Sequence, residues 1–160
     1  MPCKDKHPQQ KATELKCSKN TIIGSVGDFP TLQAKYVQDF PPGEIVLKYG
    51  QHLAPNRGFG YIHIIAEHTA DLDKHNLEHT IEGVIAYIQL IIKAGAGIYS
   101  EFFHSKGSYI PTVFWSKIGM VVLQREQLST GETRYSIVTA YGKQSPVGQK
   151  IGNIGYKKTP

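Results

Sequence analysis

Histidine is the side chain whose ordinary pKa lies closest to neutrality, so histidines gathered near a cation and hydroxyls form a set suited to proton transfer. The stretch from Gly50 to His68 carries His63 and His68, with Arg57 just upstream in the turn-forming run Asn56-Arg57-Gly58-Phe59-Gly60. A guanidinium at a glycine-rich turn fits the planar, paired oxygens of a phosphate. Far downstream, strand alternation over Thr133 to Tyr141 predicts Tyr135, Ile137, Thr139 and Tyr141 on one face, so that Thr139 and Tyr141 point together at a substrate while Val138 and Ala140 face the helices.

The two leading histidines do not read as neighbours. Five positions apart on one ideal helix, His63 and His68 differ by about 140°. His63 can pair with Glu67 one turn on, and His68 lies near Ile64 and Asp71. Lys48 and His52, ahead of the turn, can reach the same cleft or simply close a strand. Arg125 and Arg134 would flank the turn Leu128 to Thr133 on neighbouring strands, where a phosphate contact and a solvated hairpin are both open. Trp115, the single tryptophan, is a candidate for stacking on a base, with sheet packing as the other use. One competing arrangement uses a metal: an unbroken helix from 61 through 82 would align His68, His75 and His79 in a stripe able to hold zinc. Asn76 offers a break in that helix, and the spacing matches no closed ligand set, so no metal is expected.

Elements must bring these groups together. A short amphipathic helix is predicted from Thr31 to Phe40, stopped by Pro41-Pro42, followed by an extended piece from Glu44 to Tyr49 and a loop from Gly50 to Gly60. Helices are predicted over 61–73 and from about Leu77 to Lys93, the second ended by Gly95 and Gly97. After Gly97 the pattern changes. The segments Ile98 to His104, Tyr109 to Ser116, Ile118 to Glu126 and Thr133 to Tyr141 are rich in β-branched and aromatic residues and suggest an antiparallel meander. The expected fold is therefore α+β, two or three helices packed on one side of an antiparallel sheet of about four strands. Residues 1–25 read as a polar tail or linker, 26–142 as the domain, and 143–160 as a basic C-terminal tail.

Length and charge limit what this domain can be. The 160 residues suffice for one hydrophobic core. From Lys106 onward eight Lys/Arg stand against Glu126 and Glu132, a local balance of +6, whereas Glu67 to Glu82 is acidic. Such asymmetry favours a phosphate-bearing partner, although charge alone is equally met by a solvated basic surface. Cys3 and Cys17 both lie in the polar first stretch, where they neither staple the core nor form a metal framework. The longest apolar run, Val84 to Ile92, contains Gln89 and is too short to cross a bilayer, and no signal peptide is read, so export would need a carrier or a larger parent polypeptide.

A Gly-x-His approach, the Asn-Arg-Gly-Phe-Gly turn, His-Ile-x-x-x-His and a late strand ending Thr-Ala-Tyr together make residues 45 to 142 resemble the C-terminal toxin domains of contact-dependent inhibition and polymorphic toxin systems, in the barnase/colicin/RelE-like ribonuclease superfamily. The resemblance implies a metal-independent, cofactor-free ribonuclease, often acting on tRNA, delivered to a target-cell cytoplasm and restrained in its producer by a cognate immunity protein. Metal-free RNA cleavage needs a base for the 2′-OH, a donor for the crowded phosphate and an acid for the leaving 5′-oxygen. His63 and His68 are the candidates for proton transfer, Arg57 for the phosphate, and Thr139 with Tyr141 for orienting it. Lys48, His52, Arg125, Arg134 and Trp115 are candidates for RNA contact. Two other classes stay open at this level, a metal-dependent DNase using His68, His75 and His79, and a non-catalytic nucleic-acid or protein-binding module.

Overall fold

A computed structural model describes residues 17–100, 112–146 and 148–154. The expected tail up to residue 16, residues 155–160, and the parts of the expected strands at 101–104 and 109–111 lie outside the described residues.

The architecture corrects the expected one. The chain builds one seven-stranded mixed sheet, a separate two-stranded sheet and short helices. In chain order the elements are β1 Ile22–Phe29, α1 Ala34–Val37, β2 Gly43–Lys48, β3 Gln51–Ala54, β4 Arg57–Phe59, α2 Gly60–Glu67, α3 Thr69–Lys74, α4 Ile81–Lys93, β5 Gly97–Ser100, β6 Thr112–Ser116, β7 Gly119–Gln127, β8 Thr133–Tyr141 and β9 Gln149–Asn153. The large sheet has the order β1-β2-β8-β7-β6-β5-β9, and β2 runs parallel to β8. An antiparallel sheet of about four strands is thus too small and lacks the parallel pair.

The physical reasons for the difference are local. β1 is irregular, with register shifts between Ile22 and Gly24 and between Ser25 and Gly27, so its apolar residues never keep a period of two. What holds it is packing at its end: Phe29 stacks on Tyr135 at 4.1 Å and on Phe114 at 5.9 Å. Burying such a ring contributes about 1.5–3 kcal/mol, enough to order a glycine-bearing edge strand. β9 is a five-residue strand whose Ile151 is buried beside β5. One inward side chain leaves almost no pattern to read.

The main helix behaves as its sequence demands. In α4 the Thr80 hydroxyl accepts the Gly83 N–H at 3.1 Å as an N-cap, Val84, Tyr87, Ile88 and Ile91 enter the core, and Gly95 leaves the helix with φ +86°. The single helix expected over 61–73 is instead two. His68 takes φ −127°, ψ 26° between α2 and α3, outside helical geometry although its N–H still donates to Ile64 O at 2.7 Å. A further break follows at Asn76, left-handed at φ 58°, after α3 has ended at Lys74.

Two features position everything that follows. First, the β2/β8 pairing spans Glu44↔Arg134 to Val46↔Ser136, so the C-terminal part of β8 continues beyond β2, and α2 and β4 lie against it. Second, β7 and β8 shift register at Val122/Leu123, where Val122 faces Thr139 and Leu123 faces Ile137, leaving Val138 as an extra residue. The bulge overturns the expected shared face of β8. Tyr135, Ile137 and Ala140 are fully buried in the core, whereas Thr139 and Tyr141 fall on the other face.

Candidate active site

The connection leaving β2 makes the site. After Gly50, at φ 80°, the chain forms the β3–β4 hairpin, pairing His52 with Gly58 around a turn whose Pro55 presets φ and whose Asn56 is left-handed at φ 61°. Gly60, at φ 79°, returns the chain beside Gly50 and starts α2; a Cβ on Gly50 would stand 1.9 Å from Phe59 O. The hairpin then lies against α2, fastened by the Asn56 N–H donating to Glu67 Oε2 at 2.8 Å.

This fastening brings His52, His63 and Glu67 together. His52 Nδ1 and His63 Nδ1 are 3.2 Å apart, and Glu67 Oε2 is 3.5 Å from the first and 3.6 Å from the second. Gly58 is needed here for space, since a Cβ at that position would stand 2.8 Å from His63 Nδ1. The His63 side chain is only 5% exposed, against 27% for His52 and 19% for His68. Solvent and any large substrate therefore meet His52 and His68, with His63 behind them.

The non-helical turn at His68 changes what the two histidines of the sequence motif can do. Their rings approach to 6.1 Å, edge to face, where one continuous helix would have turned them apart. His68 also stacks on Tyr141 at 5.0 Å, with its Nδ1 4.0 Å from Asp71 Oδ2. The imidazoles of His52, His63 and His68 and the phenol of Tyr141 thus form a contiguous row, with centroid spacings of 5.3, 6.1 and 5.0 Å.

The electrostatics divide the row. Burial lowers the His63 pKa below its ordinary value, Glu67 opposing and His52 and His68 reinforcing the shift. Burial likewise lowers that of His68 against the pull of Asp71 and Glu67, keeping its ring neutral around pH 7. Burial also raises the Tyr141 phenol, which stays protonated. Thr139, also on β8, has a buried hydroxyl without a hydrogen-bond partner among the described residues.

The other sequence candidates lie in different settings. Arg57 is exposed at the start of β4, next to Asn56. Lys48 is buried and its Nζ lies 2.5 Å from Glu126 Oε2, while Arg134 reaches Glu126 Oε1 at 3.0 Å and the Ser136 hydroxyl donates to Oε2 at 3.2 Å. Burial opposes ionisation of Glu126, but the hydrogen bonds and charges of Lys48 and Arg134 outweigh it and hold the carboxyl below its ordinary pKa. Both cations are thereby committed inside the protein. Arg125 donates to the Asp39 carbonyl, and the Trp115 indole N–H donates to Lys143 O at 2.9 Å.

The stripe of His68, His75 and His79 does not form. His79 pairs with Asp73 at 2.8 Å, His75 lies 5.6 Å from the Tyr87 ring, and His68 belongs to Tyr141, because the chain breaks at His68 and again at Asn76. The DNase reading that depended on it has no site. Helical spacing alone makes Glu67 a partner for His63; its joint approach to His52 depends on the hairpin folding back, for which the Asn56-Arg57-Gly58 turn is the signal in the sequence. No family model matches the chain, nor does any curated protein or solved structure.

Proposed function

We propose that this chain is a metal-independent endoribonuclease that transfers the phosphoryl bond to the RNA's own 2′-oxygen and leaves a 2′,3′-cyclic phosphate, the toxin of an interbacterial system with tRNA as its substrate class. The observation that carries the reading is the 3.2 Å approach of the His52 and His63 Nδ1 atoms beside the Glu67 carboxylate. Two Nδ1 atoms at that distance share one proton, so the pair acts as a single acid–base unit. A third proton on the pair, with both Nε2 atoms protonated and one proton between the Nδ1 atoms, brings it to +1 opposite the Glu67 carboxylate. Released from His52 Nε2, one proton returns it to neutrality.

The steps then balance. His68, kept neutral by burial and presenting Nδ1 toward Asp71, accepts the 2′-OH proton at Nε2. The 2′-oxygen bonds to phosphorus, the P–O5′ bond breaks, and the 5′-oxygen takes the proton from His52 Nε2. Arg57 balances phosphate charge from the exposed turn, and Tyr141 fixes the plane of His68. A cognate immunity protein with an acidic surface fits the basic C-terminal half, and delivery falls to a carrier.

The test is cleavage of tRNA by the purified chain in excess chelator, with the product ends identified. Cutting that persists in chelator, yields the cyclic phosphate and stops when the cut site carries a 2′-deoxyribose is expected. Continued cutting of the deoxy substrate would falsify the mechanism.

A further inference from the structure

We infer that His52, His63 and Glu67 form a zinc site, and that Zn2+ bound there switches off the acid–base unit proposed above. The separations of the donor atoms suit a metal ion. In a tetrahedral zinc centre with ligand distances of about 2.0–2.1 Å, neighbouring ligand atoms stand about 3.3–3.4 Å apart. The donor atoms here are separated by 3.2, 3.5 and 3.6 Å, one face of such a tetrahedron. Two imidazole nitrogens and one carboxylate oxygen are a donor set that zinc accepts, and among the described residues no other group of three or more such side chains converges in this way.

The site is also built rather than accidental. Its members come from β3 and from successive turns of α2, and the Asn56 N–H fixes the carboxylate oxygen at 2.8 Å from outside the triad. His63 holds one donor atom almost wholly out of water, and Gly58 keeps the space in front of it clear. Three protein ligands leave the fourth position of a tetrahedral zinc to water, as in three-ligand zinc sites.

The consequence for catalysis, which rests on the ribonuclease reading, follows from proton counting. The metal takes the place of the proton shared by the two Nδ1 atoms. Each ring then keeps its proton at Nε2, and His52 has no Nδ1 proton to become neutral with after giving that one up. Zinc release restores the shared proton and the acid. The metal is therefore an inhibitor of this site and has no part in the reaction.

The experiment has two independent arms on the full chain. In the first, the chain is dialysed against Zn2+ alone and the bound metal is counted, with Co2+ absorption as a reporter of tetrahedral geometry. About one equivalent is expected, with affinity reduced at least tenfold in His52→Ala and in Glu67→Gln and unchanged in His79→Ala. No bound metal, or binding indifferent to both ligand changes while circular dichroism shows the variants folded, overturns the site. In the second arm tRNA cleavage is compared in chelator and in a slight excess of Zn2+. Loss of cleavage with zinc, reversed by chelator, supports inhibition; cleavage equal in both overturns inhibition while leaving the metal site standing. If no RNA is cut in either condition and zinc still binds, the ribonuclease reading and the inhibition fall, while the site remains. Cleavage that requires zinc overturns both the inhibition and the metal-free mechanism.

Discussion

Two polar clusters, one around Glu126 and one around His63, are finished to different degrees. Around Glu126, Lys48 and Arg134 both bond the carboxylate and Ser136 adds a hydrogen bond, so both carboxylate oxygens are matched with donors within the protein. Around His63, two imidazoles and one carboxylate face each other without a cation among them that is fixed by the fold, and His52 and His68 keep outward edges. A matched cluster in a partly buried place supports the fold, because each group removed leaves another unpaired. An unmatched cluster keeps capacity for protons or a metal.

The largest expected effect breaks this comparison at its unmatched side. His52→Ala and His68→Ala are each expected to lower tRNA cleavage about 10²–10⁴-fold while the melting temperature changes little, since both side chains are half-buried at the margin of the core. Cleavage rates and thermal unfolding on the same samples decide it. If either variant unfolds early and its activity loss tracks the unfolded fraction, that histidine belongs with the structural cluster. The converse change is Glu126→Gln, expected to cost about 1.5–3 kcal/mol because Lys48 and Arg134 lose their charged acceptor. Denaturant titration reads the loss, and cleavage per folded molecule is expected to remain near its original value. A fall in activity with stability intact would instead put Glu126 among the groups that act on RNA.

How much of this was legible in the sequence differs by element. The helix ending at Lys93, the strand from Gly43 and the last two strands of the meander follow from periodicity and turn residues that agree with their packing. β1 was hidden because its bulges and glycines erase alternation, and the parallel β2/β8 pair because no local pattern encodes which distant strand becomes a neighbour. At the site, the pairing of His63 with Glu67 was readable from helical spacing. The approach of His68 to His63 was not, since it requires a helix to stop at a histidine with no proline or glycine to announce it. The bulge at Val138 likewise undid a correct alternation rule one residue before Thr139.

Acid sharpens the same comparison through its sign. His63 and His68 have folded pKa values below the ordinary 6.5, so protons bind more readily to the unfolded chain and the stability these groups support, complete above pH 6.5, is lost as pH falls toward their folded values. Glu126 is depressed below 4.5, so its contribution persists above that pH and disappears only as pH drops through the lower folded value. In chelator, the melting temperature is expected to decline in two stages, the histidine stage first. In Glu126→Gln the second stage is reduced and the first kept; a single fall confined below pH 4.5 would show that the histidine row is not a source of acid sensitivity.

The smallest effect concerns Thr139, which shares the face of Tyr141 yet buries a hydroxyl without a partner among the described residues. Leaving such a group unsatisfied costs about 1–3 kcal/mol, and valine has nearly the same shape without the hydroxyl. Thr139→Val is therefore expected to raise stability by up to about 1 kcal/mol, measured by denaturant titration. For a hydroxyl that only orients the row, cleavage is expected to fall less than about tenfold, far below the loss at His52 or His68. A larger loss in a more stable protein would move Thr139 from the margin of the unmatched cluster to its centre, because the hydroxyl would then be held without a partner in the free protein for the sake of a bond made only with substrate.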